Sequence, residues 1–217
     1  MPVTQWFIIK SLTVPSSWIA IVAAFILTGL VVWKRYGKQS ADMYSDLVFL
    51  WILVWKLSVI VTDFDLVVDS PMSILYFNGG NIGFYLALLI TGIRAFFVLK
   101  KNGFSVKDTE VLLVSLILIQ CVYQLMMVFL NDGMNWQGLL TVFIFSVMAF
   151  AVLYFSSKGR LWRMQLAIIM LLLMLLAGSF QPEGLLQTPV IATVICIAAI
   201  FPLLLIQLNE KPTEERI

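Results

Sequence analysis

Apolar residues in this chain come in long unbroken runs. They follow neither the alternation of a half-buried strand nor the three-to-four spacing of a half-buried helix. Seven runs stand out, at 17–33, 47–61, 80–99, 111–130, 138–155, 162–179 and 189–208. A helix of about 20 residues crosses the hydrocarbon of a bilayer. Backbone N–H and C=O groups find no partner there, so each run is expected to close its own hydrogen bonds as a helix. The pattern predicts an all-α, polytopic membrane protein, with one seven-helix domain over 1–208 and a polar tail over 209–217. Residues 1–17 lack the basic start, short apolar core and small-residue cleavage site of a signal peptide, so the first run reads as a retained span.

The charges between the runs give an orientation. Lys34, Arg35 and Lys38 follow the first run; Lys100, Lys101 and Lys107 follow the third. Lys158, Arg160 and Arg163 follow the fifth; Lys211 and Arg216 follow the seventh. The other side carries Lys10 with Asp63, Asp65, Asp69, Asp132 and Glu183. Cytoplasmic loops are the ones enriched in lysine and arginine, so the N-terminus is expected outside and the C-terminus inside. One span more or fewer would scramble this alternation.

Composition narrows the function classes. Hydrophobic residues make up 61% and charged residues 12% of the 217, where soluble domains are about half apolar and a quarter charged. A net charge of +2 gives no reason to expect a nucleic-acid partner. There is no histidine, so the usual general base and the commonest transition-metal ligand are missing and no metal is expected. Cys121 and Cys196 lie far apart inside apolar runs with no CxxC spacing. They read as buried free thiols, and a mid-membrane thiol pair for electron transfer is the alternative.

Four places can carry chemistry. Phe77-Asn78-Gly79-Gly80-Asn81-Ile82-Gly83 stands at the outer start of the third run. Adjacent glycines allow backbone angles closed to other residues, and free N–H groups at a helix start favour a phosphate. The plainer reading is an asparagine-capped helix start. Lys56 falls within the second run, where a cation faces a bundle interior, a cavity or a lipid headgroup, or snorkels to an interface. Arg94 reads as snorkelling toward the inner interface. Glu183, in Gly178-Ser179-Phe180-Gln181-Pro182-Glu183-Gly184-Leu185, is a base, a cation partner or a solvated loop carboxylate. Gln120, Tyr123 and Gln124 suit hydrogen bonds between helices. Trp18, Trp33, Trp136 and Trp162 suit interface anchors.

The order of these features over residues 12–207 resembles the prolipoprotein diacylglyceryl transferase family of bacterial inner-membrane enzymes. That family has seven spans with the same orientation and moves diacylglyceryl from phosphatidylglycerol to a lipoprotein cysteine. Ser45-Asp46-Leu47-Val48-Phe49 resembles the family's opening of span two, and Lys56 falls where the family has an arginine. Asn78-Gly79-Gly80-Asn81-Ile82-Gly83 resembles its His-Gly-Gly-Leu-Ile-Gly signature. Gly103-Phe104-Ser105 with Asp108 resembles the loop before span four, and 178–185 resembles its Gly-Arg-Phe-x-x-Glu-Gly-Leu segment. The departures fall on the chemistry: Asn78 replaces the histidine, while Gln124 and Ser179 replace arginines. The asparagine near the span-four arginine falls on Met127, with Asn131 close by, and the head segment after span four shrinks to 131–137. Only Glu183 persists.

Asparagine is no base, and glutamine and serine bring no charge. Losing a base alone costs about two to four orders of magnitude in rate. The resemblance therefore implies a non-catalytic subunit that binds a phospholipid, phosphatidylglycerol first, a lipoprotein or another membrane subunit. The implied lipid site is Lys56, Asn78, Gly79, Gly80, Asn81, Gln124 and Ser179, with no cofactor. Two alternatives stand beside it: an active lipid or lipoprotein transferase with Glu183 as remodelled base, and a thiol-redox membrane protein.

Overall fold

A computed structural model describes residues 5–9, 12–72, 74, 77–131, 136–181 and 184–209. All seven expected spans are helices: Ser16–Tyr36, Lys38–Thr62, Gly80–Lys101, Val106–Leu130, Trp136–Lys158, Arg160–Phe180 and Thr188–Gln207. They are called spans one to seven. The helices outrun the apolar runs, most of all at the start of spans two and four. There the helices run on through the polar turns that begin at Lys38 and Val106. Span two loosens at Ser58, between the helices Lys38–Leu57 and Val59–Thr62. Span seven contains Pro202, which gives no N–H to its own helix.

Span four is the most enclosed, with 56% of its apolar window buried against 17% for span three. It packs most extensively on span one, and also on spans five, six and seven. Spans two and three form a flank: span two leans on span one, and span three on span two. Spans four to seven share the main core, in which Phe145, Met148, Leu166, Met170 and Met174 are enclosed.

The seam of span one has a compositional cause. Its buried residues are Ser16, Ala20, Ala24, Thr28 and Val32, one every four positions and almost all small. Lipid is as apolar as leucine, so helices in a bilayer associate through close packing and hydrogen bonds, and small stripes allow the backbones to approach. Both ends of the seam are pinned. Ser16 Oγ donates to Asn131 Oδ1 at 2.8 Å, and Tyr36 Oη donates to Glu110 Oε1 at 2.8 Å. Spans one and four are therefore antiparallel, as an odd and an even span must be.

Ahead of span one lies an antiparallel hairpin of β1 (Trp6–Ile9) and β2 (Leu12–Pro15). It was not expected. Four-residue strands are too short for alternation to register, and no glycine or asparagine announces the turn. Ser16 N–H donates to Gln5 C=O at 3.1 Å and ties the hairpin to the start of span one.

Candidate functional site

At the end of the bundle where span two finishes and span three begins, Trp55 holds the glycine turn twice. Its C=O accepts from Gly79 N–H at 3.3 Å, and its indole N–H donates to Gly80 C=O at 3.1 Å. Gly80 has φ +55°, a conformation glycine adopts without cost. Asn78 Oδ1 accepts from Gly80 N–H at 2.9 Å, so its side chain closes the turn from within. The backbone approach that the glycine pair permits is toward a neighbouring helix. A side chain at Gly79 or Gly83 would overlap the Ser58 hydroxyl, which donates to Trp55 C=O at 2.7 Å.

Lys56 is half-buried on this same stretch of span two, and Asn81 is exposed. Trp55 belongs to an aromatic cluster. Trp55 meets Trp18 edge-on at 5.7 Å between centroids and Trp51 at 5.3 Å, and Trp51 meets Phe84 at 5.2 Å. Toward the other end of the bundle, spans one and two part to leave a groove of about 420 Å³ lined by Val22, Ile26, Gly29, Val48, Phe49 and Ile52. Tyr44 also lines it and donates through its hydroxyl to Phe25 C=O at 2.9 Å. Ser45, Val48, Phe49, Ile52 and Lys56 follow the three-to-four spacing of one helical face. Lys56 thus stands one turn past the end of the groove.

The remaining expected site residues lie elsewhere. Gln124 is enclosed in the core, with Nε2 3.9 Å from Met174 Sδ and no hydrogen-bond partner for Oε1. Ser179 is exposed, and its hydroxyl returns to Leu176 C=O of its own helix at 2.7 Å. Glu183 lies outside the described residues. The structure therefore gathers Asn78, Gly79 and Gly80 on the span two–three seam, keeps Lys56 on the groove face of span two, and leaves Gln124 and Ser179 apart from both. Gln120 Nε2 donates to Pro189 C=O at 3.3 Å, a bond between spans four and seven. Cys121 and Cys196 are both free thiols. Among the described residues, no three cysteine or acidic side chains converge as metal ligands.

The opposite end of the bundle holds a site that the sequence reading missed. Glu110, largely enclosed in the second turn of span four, lies 3.7 Å from Arg163 Nη1 and 3.9 Å from Arg35 Nη2. Their side chains are 11%, 4% and 25% exposed. Arg35 also donates to Leu153 C=O and to Ser156 Oγ, the latter at 3.0 Å. Next to this cluster, Gln207 Nε2 donates to Phe104 C=O at 3.2 Å and to Thr109 Oγ1 at 2.9 Å, while Arg160 donates to Gln207 C=O. One carboxylate thus joins spans one, four and six through two guanidiniums and a phenol. The one available signal was Glu110 itself, a carboxylate next to the apolar run at 111, on the side crowded with lysine and arginine.

These bonds bring 35–36, 104–110, 153–163 and 207 to one end of the bundle, as the alternation of connectors requires. Seven apolar helices in this arrangement define an all-α, multi-pass membrane protein. No family model matches the chain, and no curated protein or solved structure is significantly similar to it.

Proposed function

We propose that this protein is a non-catalytic phospholipid-binding membrane subunit of the bacterial cytoplasmic membrane, related to the prolipoprotein diacylglyceryl transferases. Its lysine- and arginine-rich end faces the cytoplasm, which puts the N-terminus and the Trp55–Gly80 turn on the outer side. The observation that carries the reading is the alignment of the apolar groove between spans one and two with Lys56 at its outer end. An acyl chain lies in such a groove, and a cation there meets the phosphate of an outer-leaflet lipid. Phosphatidylglycerol is the lipid that the family resemblance favours.

Asn78 in the signature position supports binding over transfer. It cannot take a proton from a thiol, and its acceptor oxygen is already engaged by Gly80 N–H. The test is the phospholipid retained by the protein purified in mild detergent, weighed by native mass spectrometry. Retention is expected to fall in Lys56→Leu. Equal retention in the variant and the parent would remove Lys56 from the site. Transfer of labelled diacylglyceryl to a lipobox peptide, lost in Glu183→Gln, would replace this reading with an enzyme.

A further inference from the structure

A second pocket, of about 220 Å³, opens near the lysine- and arginine-rich end, between spans two and three. Gln39 and Asp46 of span two face Arg94 and Asn102 of span three and its C-terminal cap, and Asp108 of span four closes the side. Gln39, Met43, Asp46 and Leu47 share one face of span two, and Arg94, Val98 and Asn102 share one face of span three. The pocket is thus the seam of the lipid-facing flank, far along span two from Lys56.

Its charges are mixed and held apart. Arg94 is exposed on the helix and pairs with neither Asp46 nor Asp108, although all three line the same space. Asp108 is fixed by Asn102, whose Nδ2 donates to Asp108 Oδ2 at 2.7 Å. Arg94 stands six residues before Lys100, about 9 Å of helix from that interface. A guanidinium at that depth seeks an anion, and its planar fork suits a phosphate.

Single-sign ligands fit poorly here. A purely anionic headgroup that reaches Arg94 meets two carboxylates, and a simple cation bound between the carboxylates meets Arg94. A zwitterion with phosphate and ammonium a few bonds apart answers both. The ammonium must also donate hydrogen bonds to use Asp46 and Asp108, which a quaternary amine cannot do. We infer that the Asp46–Arg94–Asp108 pocket binds a phosphoethanolamine headgroup, with its phosphate on Arg94 and its primary ammonium between the two aspartates. In the membrane the carrier is an inner-leaflet phosphatidylethanolamine. This site is independent of the groove at Lys56.

The experiment mixes the full-length protein in detergent with equimolar phosphatidylethanolamine, phosphatidylglycerol and phosphatidylcholine of matched chains. Bound lipid is read by native mass spectrometry. Phosphatidylethanolamine is expected to be enriched roughly fivefold, the size that an exposed ion pair supports. Arg94→Gln loses the bound phosphatidylethanolamine and Arg94→Lys keeps part of it. The double variant Asp46→Asn, Asp108→Asn turns the preference toward phosphatidylglycerol, because the repulsion is gone. Lys56→Leu lowers the bound phosphatidylglycerol and keeps the bound phosphatidylethanolamine, which separates this site from the outer groove. A soluble arm adds phosphoethanolamine. Displacement of the lipid at millimolar concentration assigns the site to the free molecule, and no displacement assigns it to the lipid. Equal binding of the three lipids, or a preference that the double aspartate variant leaves intact, overturns the inference. An unchanged elution volume and unfolding midpoint show that each variant is folded.

Discussion

The hydroxyl of Ser58 occupies the space that a side chain at Gly83 would need, so spans two and three meet there with no atom between them. Gly83→Ala is expected to destabilise the protein by about 1–3 kcal/mol through overpacking. Ser58→Gly in the same chain should recover most of that, because Ser58 Oγ and Cβ are the nearest obstructions and the Trp55 ring comes next at 3.4 Å. Unfolding in mixed micelles measures the cycle. Additive losses would show that the two residues do not meet.

The cluster around Glu110 predicts an order of losses. Glu110→Gln keeps an acceptor for Tyr36 but leaves Arg163, 4% exposed, without its counter-charge. Breaking such a pair costs about 3 kcal/mol or more. Tyr36→Phe removes one hydrogen bond to a charged group, worth about 1.5–3 kcal/mol. The glutamine variant should melt lower than the phenylalanine variant, and the reverse order would mean that the phenol carries the cluster.

Groove occupancy can be separated from stability. Ile52 lines the groove and is 41% exposed, so a larger side chain there meets lipid rather than core. Ile52→Trp should lower the retained phospholipid as Lys56→Leu does, with an unchanged unfolding midpoint. Full retention would mean that the acyl chain lies elsewhere.

Orientation is open to a labelling experiment. With Cys121 and Cys196 changed to serine, a single cysteine at Lys101 or Gly159 should react with an impermeant maleimide only after the inner face is exposed. One at Asp69 should react in intact cells. The opposite pattern would invert the topology and move Lys56 to the inner leaflet.

The seven spans were legible because each is a continuous apolar run that only a helix can carry through lipid. Their packing was half-legible. Ser16, Ala20, Ala24 and Thr28 repeat every four residues and do form the seam with span four, but such a stripe does not name its partner. The glycine turn could be placed, whereas the object of its close approach, Ser58, stands 21 residues from Gly79 and no local pattern links them. The Glu110 cluster was illegible for the same reason. Its members lie 74 or more residues from Arg35 and Tyr36, and Arg163 reads in sequence as one more loop cation.

The same cluster bears on how the chain is made. Arg35 and Tyr36 leave the ribosome with the first span, Glu110 with the fourth and Arg163 only as the sixth begins. Until residue 163 is synthesised, Glu110 has a single guanidinium and the fourth span lacks part of its enclosure. The bundle therefore closes late in translation, and a nascent chain stalled before the sixth span presents a half-paired carboxylate to the insertion and proteolysis machinery of its membrane.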